Sequence, residues 1–148
     1  MDKKIVLAYC QEHVDDRIQE IQTAIGDAEF ALQEETKSSA GDKYETSREM
    51  IQQDLNRYQQ QLFLARQDVD TLDKLSTIKQ TAVIGLGSLV QMDTSYYFIA
   101  VSIGLLKIED DQVFVISPKS PIGQLLIGKS VGDTFDFNGK QHKIVKVV

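Results

Sequence analysis

Apolar side chains recur at Val14, Ile18, Ile21, Ile25, Ala28 and Leu32, and again at Ile51, Leu55, Tyr58, Leu62, Ala65 and Val69. The alternating steps of four and three predict two helices, each with a narrow apolar stripe of coiled-coil type. The two series mirror each other about a point between Gly41 and Asp42. A fold there pairs Leu32 with Ile51, Ala28 with Leu55, Ile25 with Tyr58, Ile21 with Leu62, Ile18 with Ala65 and Val14 with Val69. Each pair joins heptad position a to position d, as antiparallel layers require. The pattern therefore predicts an antiparallel helical hairpin, with helices over residues 1 to about 36 and 43 to about 76. The second helix would be roughly 50 Å long at 1.5 Å per residue. Thr36 to Gly41 is turn-rich, and Gly41 is suited to ending the first helix.

Beyond Lys79-Gln80-Thr81 the period changes to two. Ser88–Met92, Tyr96–Val101 and Val113–Ile116 read as strands, the second apolar enough to be central, with a turn at Glu109-Asp110-Asp111. Ser120 is placed to cap a short helix that has Pro121 at its first position, Ile122, Leu125, Leu126 and Ile127 on its buried side, and Gly128 at its end. Gly132-Asp133 opens a hairpin of Thr134–Phe137 and Gln141–Val148, turned by Asn138-Gly139. The predicted organisation is α+β. An antiparallel coiled-coil hairpin fills 1–78, with an acidic tip near 41–45, and a small antiparallel β domain with one short helix fills 79–148.

Charge narrows the list of partners. The net charge is −6. Residues 1–80 hold 16 acidic and 10 basic side chains, and residues 81–148 hold six of each. Binding to duplex nucleic acid normally needs a basic face that displaces counterions, so direct or sequence-specific DNA binding is not expected. An acidic hairpin suits a basic groove or a metal-bearing site on a partner. The single cysteine, Cys10, reads as a structural thiol in a helix, and allows neither an intrachain disulfide nor a Cys-rich metal site. The apolar run Ile5–Cys10 after Lys3-Lys4 is too short for a secretory signal and continues into Gln11-Glu12-His13. No segment has the length of a membrane span. A soluble, cytoplasmic and monomeric protein is expected.

Asp42 and Glu45 are the sharpest chemical candidates. At spacing i, i+3 on a starting helical turn their carboxylates can point the same way. Such a pair could share Mg²⁺, but only as a half-site, because the ion takes near-octahedral oxygen ligation. The same spacing equally describes a capping box, in which Asp42 accepts from the amide of Glu45 and Glu45 bonds back, and both acids complement the helix dipole. The two readings are compatible, and both remain open on these residues alone. Tyr44 is an aromatic at the tip, either a contact residue or an ordinary exposed tyrosine. Gly85-Leu86-Gly87 lacks the third glycine and the helix of a nucleotide-binding loop, and reads as the start of a strand. His13 and His142 have no further ligand nearby in sequence. Ser38, Ser39, Ser117 and Ser120 have no nucleophile context.

Two stretches resemble the Gre family of bacterial transcript cleavage factors. Ile116-Ser117-Pro118-Lys119-Ser120-Pro121-Ile122-Gly123-Gln124-Leu125-Leu126-Ile127-Gly128-Lys129-Ser130-Val131-Gly132-Asp133 is similar to the family's C-terminal signature, and Ile144-Val145-Lys146-Val147 to its closing strand. At the tip, Gly41-Asp42 and Glu45 match a glycine-aspartate-x-x-glutamate pattern. The resemblance implies an FKBP-like C-terminal domain docked at the rim of the RNA polymerase secondary channel, with Ser120, Pro121 and Ile122 as contact residues beside Tyr44 at the tip. It implies a hairpin reaching the active centre, where Asp42 and Glu45 help to hold a catalytic Mg²⁺ shared with the polymerase, near the RNA 3′ end. No cofactor would be bound stably by the protein alone, and the polymerase would remain the enzyme that cleaves backtracked RNA. The chain departs from the pattern after the tip glutamate. Asparagine, then a further glutamate and tyrosine, are expected there, and Thr46-Ser47-Arg48-Glu49 is present. Arg17 also stands isolated among Asp15, Asp16 and Glu20, where a basic patch for RNA would be expected. A Gre-like regulator that occupies the channel without cleavage is therefore an alternative. A peptidyl-prolyl isomerase is a remoter one, since the chain has no tryptophan to floor a proline pocket.

Overall fold

The fold is that of a computed structural model, which describes residues 1–37 and 41–148, with the backbone alone at 36–37 and 41–44. Helix α1 spans Lys3–Lys37 and helix α2 spans Gly41–Leu75. Seven short strands follow: β1 Leu89–Gln91, β2 Tyr96–Ile99, β3 Gly104–Ile108, β4 Asp111–Ile116, β5 Thr134–Phe137, β6 Lys140–Lys143 and β7 Lys146–Val147, with helix α3 at Pro121–Leu126 between β4 and β5. This is the expected α+β order of two long helices, then a small β domain with one short helix. The turn-rich residues Ser38, Ser39 and Ala40 lie outside the described residues.

The chain forms two compact units. One is His13–Val69; the other joins Met1–Glu12 to Asp70–Val148. The division between these units falls inside the helices, after Glu12 and after Val69. In the first unit, Ile21, Leu62 and Ala65 form a buried cluster against which Ile18, Ile25 and Tyr58 pack. Three mirror pairs thus meet in the predicted antiparallel register. Val14 and Leu55 are buried on the same seam, while Ala28, Leu32, Ile51 and Val69 are half-buried. Next to the seam, burial raises the Asp68 carboxyl above its ordinary pKa, and the positive charge of Arg17 partly offsets this.

In the second unit Val6, Cys10, Leu72 and Leu75 are buried. The first two lie off the predicted heptad positions, because these turns belong with the β domain and not with the seam. Leu75 Cδ2 would lie 3.5 Å from a Cβ at Gly87, and Lys3 Nζ donates to the carbonyl of Val148 at 3.3 Å. The main sheet runs β3-β4-β2-β1-β7, and β5 and β6 form a separate hairpin. β2 is central, as its apolar run predicts. The β2–β4 pairing is parallel, with Phe98 opposite Val115, whereas the other pairings are antiparallel. One side of the sheet carries Val90 and Ile99 into a core with Ile84, Met92, Ile122, Leu126, Phe135 and Ile144. On the other side Leu89, Phe98, Val113 and Val115 are also buried, in the unit that includes the ends of both helices.

Two local expectations need correction, and one strand carries no sequence assignment. Gly104–Ile108, unassigned from sequence, is an edge strand whose alternation is obscured by the adjacent Leu105 and Leu106. The segment 141–148 is two strands: the chain leaves β6 at Ile144, which is fully buried, and β7 crosses to pair with β1. Leu125 and Ile127 are 37% and 41% exposed, because a six-residue helix turns only one narrow face, that of Ile122 and Leu126, to the core.

Candidate functional site

The tip candidates sit at the start of α2. The helix includes Gly41, so Asp42 and Glu45 are separated by less than one turn of continuous helical backbone. Glu45 is exposed, as are Thr46, Arg48 and Glu49. The side chains of Asp42 and Tyr44 lie outside the described residues, so the capping box and the carboxylate pair both rest on backbone spacing. As a donor set, two carboxylates supply the hard oxygens that suit Mg²⁺, but too few of them to complete its shell. Among the described residues no group of three or more His, Cys, Asp or Glu side chains is placed to hold a metal. The fit is that of a half-site.

The other candidate residues have structural work. Ser120 caps α3: its Oγ accepts from the amide of Gly123 at 3.1 Å and donates to the carbonyl of Ser117 at 2.7 Å, with Pro121 following at the first helical position. Ile122 belongs to the core. Gly123 sits where a Cβ would lie 2.3 Å from the Ser117 carbonyl oxygen. Gly128, at φ +87, donates to Ile84, and Ile84 donates to Lys129, tying the end of α3 to the segment before β1. Asp133 Oδ2 accepts from the amide of Ser130 at 2.8 Å, while the Asp133 carbonyl accepts from Ile144. Asn138 and Gly139 both have positive φ, as a two-residue hairpin turn requires. The signature from Ser117 to Asp133 thus specifies caps and turns. Interleaved with it are exposed apolar side chains, Leu125, Ile127 and Val131, the last 57% exposed. Their periodicity had pointed the first two inward, and no sequence signal marks them as surface.

The remaining candidates are structural as well. Ser88 Oγ accepts from the amide of Gly85, and Gly87 adopts φ +87 against Leu75 and Ile78, so Gly85-Leu86-Gly87 is the turn into β1. His142 stacks on Phe135 with centroids 5.4 Å apart. Cys10 is buried, and burial pushes its thiol up to about 12.

Residues 101–148 match the family described as "Transcription elongation factor, GreA/GreB, C-term". This segment is similar to the C-terminal domain of GreA/GreB transcription elongation factors. The match supports a Gre-family transcription elongation factor, and the long helical hairpin ahead of the β domain is consistent with that fold. No curated protein matches the chain. No helix among the described residues is long and apolar enough to cross a membrane.

Proposed function

We propose that this protein enters the secondary channel of RNA polymerase and stimulates cleavage of backtracked RNA. The observation that carries the reading is the GreA/GreB match over 101–148. The exposed apolar side chains of Leu125, Ile127 and Val131 are the candidates in the C-terminal domain for contact with the polymerase. Asp42 and Glu45 are the groups that would hold a catalytic Mg²⁺ together with carboxylates of the polymerase. When bound, the ion supplies an activated water and steadies charge during hydrolysis. The chain's own contribution is to present two oxygen ligands at a spacing fixed by helical backbone. Supplying them in trans makes cleavage conditional on factor binding, and the polymerase remains the catalyst.

The test is a backtracked elongation complex. RNA shortened no faster by this protein than by buffer would end the cleavage reading. Full activity in Asp42→Asn and Glu45→Gln would end the metal role while leaving the factor role intact. A purely capping role predicts only a loss of helix stability, about 0.5–2 kcal/mol. Arg48, a cation one turn past Glu45, favours a second reading, a channel-binding regulator that slows elongation without shortening RNA.

A further inference from the structure

We infer that the outer edge of β3 takes up an extended segment of a partner protein as a sixth strand, a segment with apolar side chains at alternate positions and a basic residue where it meets Glu109, Asp110 and Asp111. β3 is the outermost strand of the five-stranded sheet, hydrogen-bonded to β4 on its inner side. Ile108 pairs with Asp111 across a two-residue turn, and Leu106 and Gly104 pair with Val113 and Val115. In an antiparallel ladder closed this way, Ile108, Leu106 and Gly104 direct their amides and carbonyls to β4, and Leu105 and Lys107 direct theirs outward. Those outward groups are a template for main-chain bonding. Side chains supply a recognition surface beside it. Val90, Tyr97, Phe114 and Leu105 are successive partners across β1, β2, β4 and β3, so they form one row on one face of the sheet. Tyr97 and Phe114 stack with centroids 5.1 Å apart. The row opens toward the edge: Val90 is buried, Tyr97 and Phe114 are half-buried, and Leu105 is 53% exposed. An apolar side chain on an added strand would extend this row past Leu105. Charge selects the occupant. Lys107, Glu109, Asp110 and Asp111 are all exposed and together carry a net −2, which favours a basic segment. A second copy is disfavoured, because it would bring the same acidic charge and set a lysine-bearing edge against its like. Nothing in this surface depends on the tip residues or on cleavage.

The probe is a capped peptide, Lys-Thr-Val-Thr-Val-Thr-Lys, titrated into the full-length protein, with hydrogen exchange read at single amides. Before addition, Leu105 and Lys107 should exchange faster than Leu106 and Ile108, which β4 protects. Saturating peptide should slow Leu105 and Lys107 by about tenfold or more. A glutamate-flanked version should bind several-fold more weakly, and added salt should narrow the difference. Glu109→Asn combined with Asp110→Asn should narrow it in the same way, and asparagine tolerates the positive φ of Glu109. Lys107→Pro deletes one outward amide that takes no part in the β4 ladder, so it should abolish binding with the β2–β4 amides still protected. Leu105→Thr, which keeps the edge, should weaken binding several-fold. Peptide binding that leaves exchange at Leu105 and Lys107 unchanged overturns the inference, and so does the absence of binding at millimolar peptide. Protection that grows with protein concentration alone would make the occupant a second copy and overturn it too. Equal binding of the lysine- and glutamate-flanked peptides overturns the choice of a basic occupant.

Discussion

Replacing Gly123 with alanine sets two rules against each other. Helix propensity alone favours the change by about 0.5–1 kcal/mol, since glycine is costly inside a helix. The packing around Gly123 forbids it. The new Cβ would lie 2.3 Å from the Ser117 carbonyl oxygen, 2.8 Å from Ser120 Oγ and 3.2 Å from the Pro118 carbonyl carbon. Relief requires the Ser117 carbonyl to move by about 1 Å, and that oxygen accepts from both the amide and the hydroxyl of Ser120. Two hydrogen bonds at about 0.5–1.5 kcal/mol each are weakened. The Ser120 cap, worth about 0.5–2 kcal/mol, is displaced with them. The propensity gain offsets only part of this, leaving a net loss of about 2 kcal/mol. Gly26→Ala is the matched control: it lies within α1, and nothing stands within 4 Å of its Cβ position, so it should stabilise by about 0.5–1 kcal/mol. Urea unfolding should be followed at amides of each unit, since a chain with two units does not guarantee a single two-state melt. A Gly123→Ala protein as stable as wild type would refute the role assigned to the Ser117–Gly123 corner.

Ser120→Ala should cost about 0.5–2 kcal/mol, and its effect should be less than additive with Gly123→Ala, because both disturb the same carbonyl; a double-mutant cycle in urea checks this. Cys10 has its thiol pushed from 9.0 up to about 12 by burial, so its contribution to stability is complete below pH 9 and is lost as pH rises toward 12. The urea midpoint of wild type should therefore fall more steeply above pH 9 than that of Cys10→Val, and a thiol reagent at pH 8 should react only after denaturation. Asp68 is raised, chiefly by burial, so its ionised form works against folding at neutral pH. Asp68→Asn should raise the melting temperature of the hairpin at pH 7, and the gain should vanish in acid below the ordinary carboxylate range.

The hairpin was legible because its information is periodic and duplicated. Ile18, Ile21, Ile25, Tyr58, Leu62 and Ala65 meet as the mirror pattern requires, and a shift in register would break every pair at once. Its base was not legible. Val6 and Cys10 are buried off the heptad, in the unit that joins these turns of α1 to residues 70–148, and such a long-range grouping leaves no mark on local spacing. The α3 cap and the Asn138-Gly139 turn were readable because local chemistry decides them. The crossing of β7 to β1 was not, since only the burial of Ile144 divides an otherwise continuous strand pattern. Leu125 and Ile127 misled for a related reason: a six-residue helix is too short for periodicity to fix which of four apolar residues faces inward.

The segment that matches the GreA/GreB family is also one whose residues are occupied by their own fold. Ser120, Gly123, Gly128 and Asp133 make caps and turns, so their pattern fixes a scaffold and leaves no spare chemistry. Features that would set this protein's behaviour lie between or beyond those residues. Residues 13–35 of α1 hold seven carboxylates and one guanidinium, Arg17, whose charge acts on Asp68; this net −6 equals that of the whole chain. Phosphate-rich RNA is repelled by such a helix. At the start of α2 the balance is finer, with Glu45 and Glu49 set against Arg48. Under the proposed function, the choice between cleaving and only occupying the channel would fall to residues outside this scaffold, which would fold the same way for either task.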